Sequence, residues 1–548
     1  MDRRADKERR LDRDRRQPPF QNAQRTWKSM HEKFAPYKHR YLTYVQVLGY
    51  GGNGIVQLWK VKNLGREGLR QRSVAIKTII KRDDEAAKRR LRTEIAWHKR
   101  FKGLSHLVQL ADLPEAVTKN GDINNEKCEG VPMLAMEVMT GGPGNALLEN
   151  MVSVEDSNSE MPENARGITY IPTRCLWSIF LCLIRSCIGI NLTSDTTTPD
   201  YNGEPIMETT KGYKVFIPNS NVHNDIDVFN IFMGEPTGDF EHSWGPVAKI
   251  ADYGSMVAWN NNWSDQRKMD LVQGKPMFMA PEQSEGSMIV EYNSLGSHTN
   301  IYQIGRAMHD LITLGMIDEE ESYPEKRQIN KLYVTTTGLV STYGWRLLKS
   351  ENYKIEEPWE AVDIELREIV AACMAESPKH RPRLRVLEKA AERNMESLLK
   401  QAKAEARRDV PPVFVEDLYT KRVPHGQPEP NHLIEKFVED YFYTPWNVVD
   451  HHKQFWAGRT LTPVPEGRDG YNPADGEVWD TKMREAQAEM DAEPLEAALW
   501  QQEVQWEKEM FGSGSNANQS GKGKAQVDSQ GRPKAPGGDD DDLDDYLG

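Results

Sequence analysis

The hydrophobic period of this chain changes at Gly141-Gly142. Upstream, short runs rich in β-branched and aromatic residues prevail: Tyr44 to Leu48, Ile55 to Val61, Val74 to Ile80, His106 to Leu110 and Met133 to Val138. Such runs read as strands. Downstream, apolar residues recur at helical spacing over 173–190, 299–314, 360–375 and 383–405. One upstream segment departs from its surroundings. Asp84 to Phe101 is helical in pattern, with Leu91, Ile95 and His98 at i, i+4 and i+7 and Glu94 bordering that stripe. A strand-rich part followed by a helix-rich part predicts an α+β fold of two lobes with a cleft at their junction.

Composition bears on the ends. The chain has 548 residues, a net charge of −13 and a mean hydropathy of −0.70, too polar to be packed throughout. Residues 1–16 carry eight Arg/Lys against five Asp/Glu with no apolar stretch, so they read as a solvated extension and not a signal peptide. Residues 511–548 are rich in Gly, Ser, Asn and Lys and close on Asp539 to Asp542, Asp544 and Asp545. Such a tail cannot bury enough apolar surface to offset its ordering entropy, so it reads as disordered, with a basic partner as the alternative use. The expected organisation is a charged extension (1–40), a small lobe (41–140), a large lobe (141–405), an extension that is aromatic-rich and then helical (406–510), and the acidic tail. The aromatics between Leu433 and Trp456 are expected to pack on the large lobe.

Two classes are excluded at this stage. The most apolar run, Cys175 to Ile190, has 12 apolar residues in 16, but it is too short for a span and Arg185 interrupts it, so it reads as a core helix. The acidic net charge argues against a nucleic-acid partner. Five cysteines with no CxxC pair fit a reducing compartment, cytosol or nucleus. Cys175 and Cys182 read as helix packing rather than as disulfide or zinc ligands.

Gly49-Tyr-Gly51-Gly-Asn-Gly54-Ile-Val56 lets backbone amides approach phosphate oxygens with no Cβ in the way. A dinucleotide-binding loop would open a helix at this point, whereas Ile55 to Val61 alternates as a strand. The loop therefore reads as a flap within a hairpin. Val74-Ala75-Ile76-Lys77 follows, and Glu94 lies 17 residues beyond Lys77 on the amphipathic helix, placed to hold a cleft lysine.

With these motifs the sequence resembles the eukaryotic protein kinase family, and the later motifs arrive in that family's order. His223-Asn224-Asp225-Ile226-Asp227-Val228-Phe229-Asn230 matches its catalytic loop, and Asp252-Tyr253-Gly254 stands where the family has Asp-Phe-Gly. Ala280-Pro281-Glu282 closes the activation segment, and Arg381 resembles the arginine that pairs with that glutamate. The resemblance covers 44–385 and implies a bilobal phosphotransferase using ATP and Mg²⁺. By that resemblance Gly49, Gly51, Gly54, Val56 and Ala75 enclose nucleotide, which hangs from the backbone at Glu137 to Met139 with Met136 behind it. Lys77 contacts phosphates and Glu94 orients it, while Asp252 and Asn230 ligate metal. Asp225 accepts the proton of a protein hydroxyl, expected to be serine or threonine.

Four positions depart from the family. Asn224 replaces the arginine that reads activation-segment phosphate, so a phosphate-gated switch is not expected. Asp227 replaces the lysine that steadies the transferring phosphate, and a second acid there repels phosphate unless neutralised. Lys275 stands where the family has Ser or Thr. A charge swap would pair it with Asp227; the plainer reading leaves both in solvent. Asn300 replaces the aspartate that anchors the loop, and an amide bonds without charge assistance. The family also has a short link where residues 191–217 form a polar insertion, which reads as a surface hairpin or loop, with a docking site as the alternative. Two alternatives stay open on these residues: a pseudokinase scaffold that binds partners without efficient catalysis, and a small-molecule kinase.

Overall fold

A computed structural model describes residues 41–443, apart from internal breaks of which 114–131, 193–204, 284–294 and 408–417 are the longest, together with Thr26 and Met30. All of these lie in the first of two units, Met1–Thr460; Leu461–Gly548, with the expected helix at 475–510 and the acidic tail, falls outside the described residues.

The small lobe is an antiparallel sheet in the order β1 (Leu42–Tyr50), β2 (Gly54–Asn63), β3 (Arg70–Ile79) and β4 (Met133–Met136), crossed by helix α1 (Glu85–Arg100). Strand parity decides its faces. Val74 and Ile76 join Leu42, Val47, Ile55 and Trp59 in one apolar cluster. Ile79 points the other way and packs with Leu91, Ile95 and Leu134, so the predicted stripe of α1 is buried against the sheet. Lys77 shares the parity of Ile79, which puts it on the helix-facing side. Asp84 caps α1 by accepting the Ala87 amide at 2.8 Å, and Lys99 and Arg100 sit at its C-terminal end, the favourable dipole arrangement. The N-terminal extension contributes Met30 to the core and Thr26, whose hydroxyl donates to the Ile80 carbonyl at 2.9 Å.

Residues 106–110 do not form the strand expected there. Leu107 and Leu110 make single bridges, to Ile250 and Met136. The backbone amides go to several elements instead, Ser105 to Ile206 and Val108 to Ile250, so no ladder builds up.

The large lobe is helical. A two-residue strand β5 (Gly142–Pro143) leads into α2 (Gly144–Asn158), and α3 (Thr173–Asn191) forms the centre of the core. Among the described residues, α3 is the one helix long and apolar enough to cross a membrane, and 94% of that stretch is buried inside the protein. Strands β6 (Asn221–Val222), β7 (Ile231–Gly234), β8 (Val247–Ile250) and β9 (Val257–Ala258) carry the cleft floor, β5-β7-β8 in one sheet and β6-β9 in another. There follow α4 (Asp265–Leu271), α5 (Ser297–Thr313), the hairpin β10 (Glu325–Gln328) and β11 (Leu339–Thr342), α6 (Ile364–Cys373), α7 (Leu384–Ala406) and α8 (Asn431–Val438).

Arg185, the interruption in the apolar run, is 2% exposed and gathers partners from three elements. It donates to Glu241 (2.7 Å), Glu388 and Glu392 (2.6 Å), and to the Glu208 carbonyl (2.8 Å). A buried guanidinium requires such company. The insertion at 191–217 is likewise no surface hairpin where described. Glu208 and Thr210 are buried, and the Thr210 hydroxyl and amide donate to Glu388. Its polar residues find buried partners, so polarity alone misplaced it.

The aromatic-rich segment packs on the large lobe as expected over its described part. Leu433, Ile434, Phe437, Tyr441 and Phe442 join the main core, and Trp446, Phe455 and Trp456 lie outside the described residues. Glu429 caps the start of α3, its carboxylate accepting the Thr173 and Arg174 amides at 2.6 and 2.9 Å.

Candidate active site

Five polar side chains converge at the junction of the lobes. Lys77, carried on the inner face of β3, donates to both carboxylate oxygens of Glu94 at 2.9 Å and to Asp252 at 2.9 Å. Burial alone would lower the Lys77 pKa, but Asp252 and Glu94 together raise it above its ordinary value. Burial pushes Glu94 up to about 7, with Lys77 opposing. For Asp252 the Lys77 ammonium outweighs burial and holds the carboxyl down at about 2. Asp252 is therefore anionic throughout the neutral range. It adopts a left-handed backbone, φ 61°, and Tyr253 beside it packs on His98 of α1 at 4.4 Å between ring centroids. That contact ties the Asp252 turn to the helix carrying Glu94.

The flap is the β1–β2 connection. Gly49 pairs with Val56 and Tyr50 with Ile55, as a hairpin requires, while Gly51 lies outside the described residues. Val56 stands in register with Lys77, and Ala75 with Met136 of β4. A Cβ on Gly54 would approach the Thr78 carbonyl oxygen to 3.0 Å, so glycine keeps the flap close to β3. Past β4, Glu137 gives its amide to the Gln109 carbonyl (3.0 Å) and its carboxylate to the Gln109 amide and Lys249 ammonium (2.8 Å each). Met139 lies against Gly234, its Cε 3.0 Å from where a Cβ would stand. These contacts fix the 137–139 segment across the mouth of the cleft.

The catalytic loop joins β6 to β7. Asn230 donates to the Asp225 carboxylate at 3.0 Å and its carbonyl at 2.8 Å. The other Asp225 oxygen, Oδ1, is buried and has no hydrogen-bond partner among the described residues, an acceptor awaiting a donor. Asn300 holds the loop despite lacking charge: its side chain accepts the His223 amide and donates to the Asn221 carbonyl, both at 3.0 Å.

Asp227 does not face solvent. It is fully buried, and one oxygen accepts the Phe229 and Asn230 amides at 2.8 and 3.1 Å, closing the turn. The other oxygen accepts the Lys275 ammonium, which also reaches Asp225 at 3.4 Å and lies over the Phe229 ring. The charge swap is thus present, and the solvent-facing alternative does not hold. Burial pushes Asp227 up to about 6 against the pull of Lys275, and Asp227 and Asp225 hold Lys275 raised against its own partial burial.

Asn224 is buried with φ 65°, and its amide donates to the Ser255 and Leu271 carbonyls at 3.1 and 3.2 Å. Its own carbonyl accepts the Gln303 side chain at 2.8 Å. Gly274 follows from this contact: a Cβ there would sit 2.6 Å from the Asn224 carbonyl oxygen. The activation segment is further held by an apolar cluster of Val222, Trp259 and Leu295 with Trp263, Met269 and Leu271 against it. Neutral hydrogen bonds and packing occupy the place where the family uses phosphate and arginine. Gln303, Gln283 and Ser255 escaped the sequence reading, since no motif spacing marks them. Arg381 and Glu282 form the expected buried pair, at 2.6 and 2.8 Å.

Residues 42–390 match the family model described as protein tyrosine and serine/threonine kinase. No curated protein matches.

Proposed function

The chain belongs to the protein tyrosine and serine/threonine kinase family, and from that premise we propose that it transfers the γ-phosphoryl group of ATP to a serine or threonine hydroxyl of a protein. The observation that carries this reading is the unsatisfied Asp225 Oδ1 beside Asn230, Asp252 and two ammonium groups. Phosphoryl transfer asks a protein for positioning and charge neutralisation more than for covalent chemistry. Bound Mg²⁺–ATP supplies the activated phosphoryl group and part of that neutralisation. Asp252 and Asn230 are oxygen donors suited to Mg²⁺, and the hairpin flap with Lys77 suits phosphates. Asp225 takes the acceptor's proton at Oδ1, while Asn230 and Lys275 keep Oδ2 oriented. Lys275 supplies the ammonium that the family places on the loop itself, which supports serine or threonine as acceptor. The buried Glu282–Arg381 pair supports a peptide over a small metabolite, because it braces the segment on which family members dock peptides.

The test is phosphate transfer by purified protein with Mg–ATP and a peptide library, comparing wild type with Lys77→Met and Asp225→Asn. Transfer to serine or threonine peptides by wild type alone is expected. Equal, background transfer by all three would leave a binding scaffold. A phosphorylated metabolite formed without peptide would replace the proposed acceptor. The motif-bearing cleft is compatible with a cytoplasmic or nuclear substrate.

A further inference from the structure

Away from the cleft, three side chains, two from the large lobe and one from the α1–β4 connection, point their ligating atoms at one spot. His106 Nε2 lies 3.2 Å from His242 Nε2, and Cys182 Sγ lies 3.2 Å from that same nitrogen. All three atoms fall within 4.8 Å of one another, and the residues are 0%, 3% and 1% exposed. The far nitrogen of His106, Nδ1, meets Glu208 Oε2 at 2.7 Å, and the other Glu208 oxygen accepts the His106 amide at 2.9 Å.

Hydrogen bonding accounts for one of the two close approaches, His242 Nε2–H donating to His106 Nε2, and then leaves the Cys182 thiol no lone pair at that nitrogen. With Nδ1–H donating to Glu208, His106 turns a lone pair, not a proton, toward His242. The single in-plane site at His242 Nε2 is then approached by both an imidazole nitrogen and a thiol. One cation satisfies all three atoms at once. We infer that His106, Cys182 and His242 bind a zinc ion, with Glu208 as the carboxylate that orients His106. Two imidazoles and one thiolate form a borderline-soft set that suits zinc and excludes Mg²⁺. Zinc–nitrogen bonds of about 2.0–2.1 Å and a zinc–sulfur bond of about 2.3 Å put tetrahedral ligand atoms roughly 3.3–3.6 Å apart. The two 3.2 Å separations require only a few tenths of an ångström of outward movement. Binding releases the Cys182 thiol proton to solvent, and a solvent molecule completes four-coordination, no fourth protein ligand being present among the described residues.

All three ligands are buried, so the ion braces the elements that carry them. It pins α3 through Cys182, the β7–β8 connection through His242, the α1–β4 connection through His106, and the 191–217 insertion through Glu208. Sequence spacing gave no sign of it; Cys182 packs in the core as expected, and the inference adds a ligand role to that packing.

The experiment uses full-length protein without a polyhistidine tag. Elemental analysis after gel filtration is expected to give one zinc per chain. Cobalt replacement is expected to give the intense visible bands of a tetrahedral site and a thiolate-to-cobalt charge-transfer band, which the all-oxygen cleft site cannot produce. Cys182→Ser and His242→Ala abolish stoichiometric zinc, and Glu208→Gln weakens zinc affinity about 10–100-fold while full occupancy returns at high Zn²⁺. A strong chelator lowers the melting midpoint of wild type by about 5 °C or more, reversed by Zn²⁺. If the ligand variants do not fold, the wild-type cobalt spectrum decides alone. Absence of stoichiometric zinc after incubation with Zn²⁺, or a cobalt spectrum without the thiolate band, overturns the inference.

Discussion

Two ammonium groups in the cleft are each shared by two carboxylates, and they are built differently. Lys77, 18% exposed, bridges buried Glu94 and half-exposed Asp252; Lys275, 42% exposed, bridges fully buried Asp227 and partly buried Asp225. In each case the buried carboxylate fixes the lysine and the accessible one faces the chemistry. The first arrangement uses residues that the family motifs name. The second uses two departures from those motifs, on segments 48 residues apart. A pair of substitutions that looks like decay at each position separately reads as a restored function once both are placed together.

The comparison breaks most easily at Lys77. Lys77→Met is expected to lower kcat/KM by about 10²–10³-fold, the loss typical of a preorganised charge in a water-poor site. Stability should change little, because Glu94, already pushed up to about 7 by burial, protonates instead of remaining an unpaired charge. Steady-state kinetics with a denaturant titration check both halves. Lys275→Ala is expected to cost less, roughly tenfold in kcat, because its exposed ammonium is screened by water. A loss equal to that of Lys77→Met would erase the distinction between the two sites.

The pH dependence sharpens the contrast. Burial raises Asp227 from 3.8 to about 6, so the folded chain binds more protons than the unfolded chain between those values. Its contribution to stability therefore falls as pH rises through that window. Activity should move the other way, rising through about pH 6 as Asp227 ionises and holds Lys275. Asp227→Asn should remove this component from both profiles. Glu282 has the opposite sign: Arg381 outweighs burial and lowers its pKa, so its stabilisation is complete above 4.5 and is lost as pH falls through the depressed folded value. Thermal melts and rate profiles across pH 4–8 separate the two.

The smallest expected effect concerns Asn224. Phosphatase treatment should leave kcat unchanged, since neutral hydrogen bonds to Ser255 and Leu271 order the activation segment. Asn224→Ala should cost about 1–3 kcal/mol and raise amide exchange over 255–272, the measure of a segment losing buried bonds.

Legibility in the sequence followed periodicity and motif spacing. Helix α3 was bounded to within a residue because its apolar residues are dense from end to end, and Lys77 met Glu94 because strand parity and helix phase both pointed inward. Helix α2 was missed: its Asn, Ser and Val content favours helix weakly, and Leu147 and Met151 are buried by tertiary packing. The β10–β11 hairpin was missed because Glu325–Gln328 is polar throughout and does not alternate. The buried return of the insertion depends on partners far away in the chain, Glu388 and His106, which no local pattern announces. The Lys275–Asp227 pair was legible only as a hypothesis, since burial of Asp227 had to come from the fold.

Phe442, near the last of the described residues, still belongs to the main core. Its ring packs so closely on Gly141 that a Cβ there would come within 2.7 Å of it, and Glu429 caps α3 from the same region. The match to the family stops at residue 390. A chain truncated there would retain every motif of the family, yet it would remove Phe437, Tyr441 and Phe442 from the main core and uncap its central helix. Such a fragment should aggregate when expressed. The span matched by the family and the span that packs into the core are therefore different objects, and truncation between residues 390 and 443 should destabilise the large lobe.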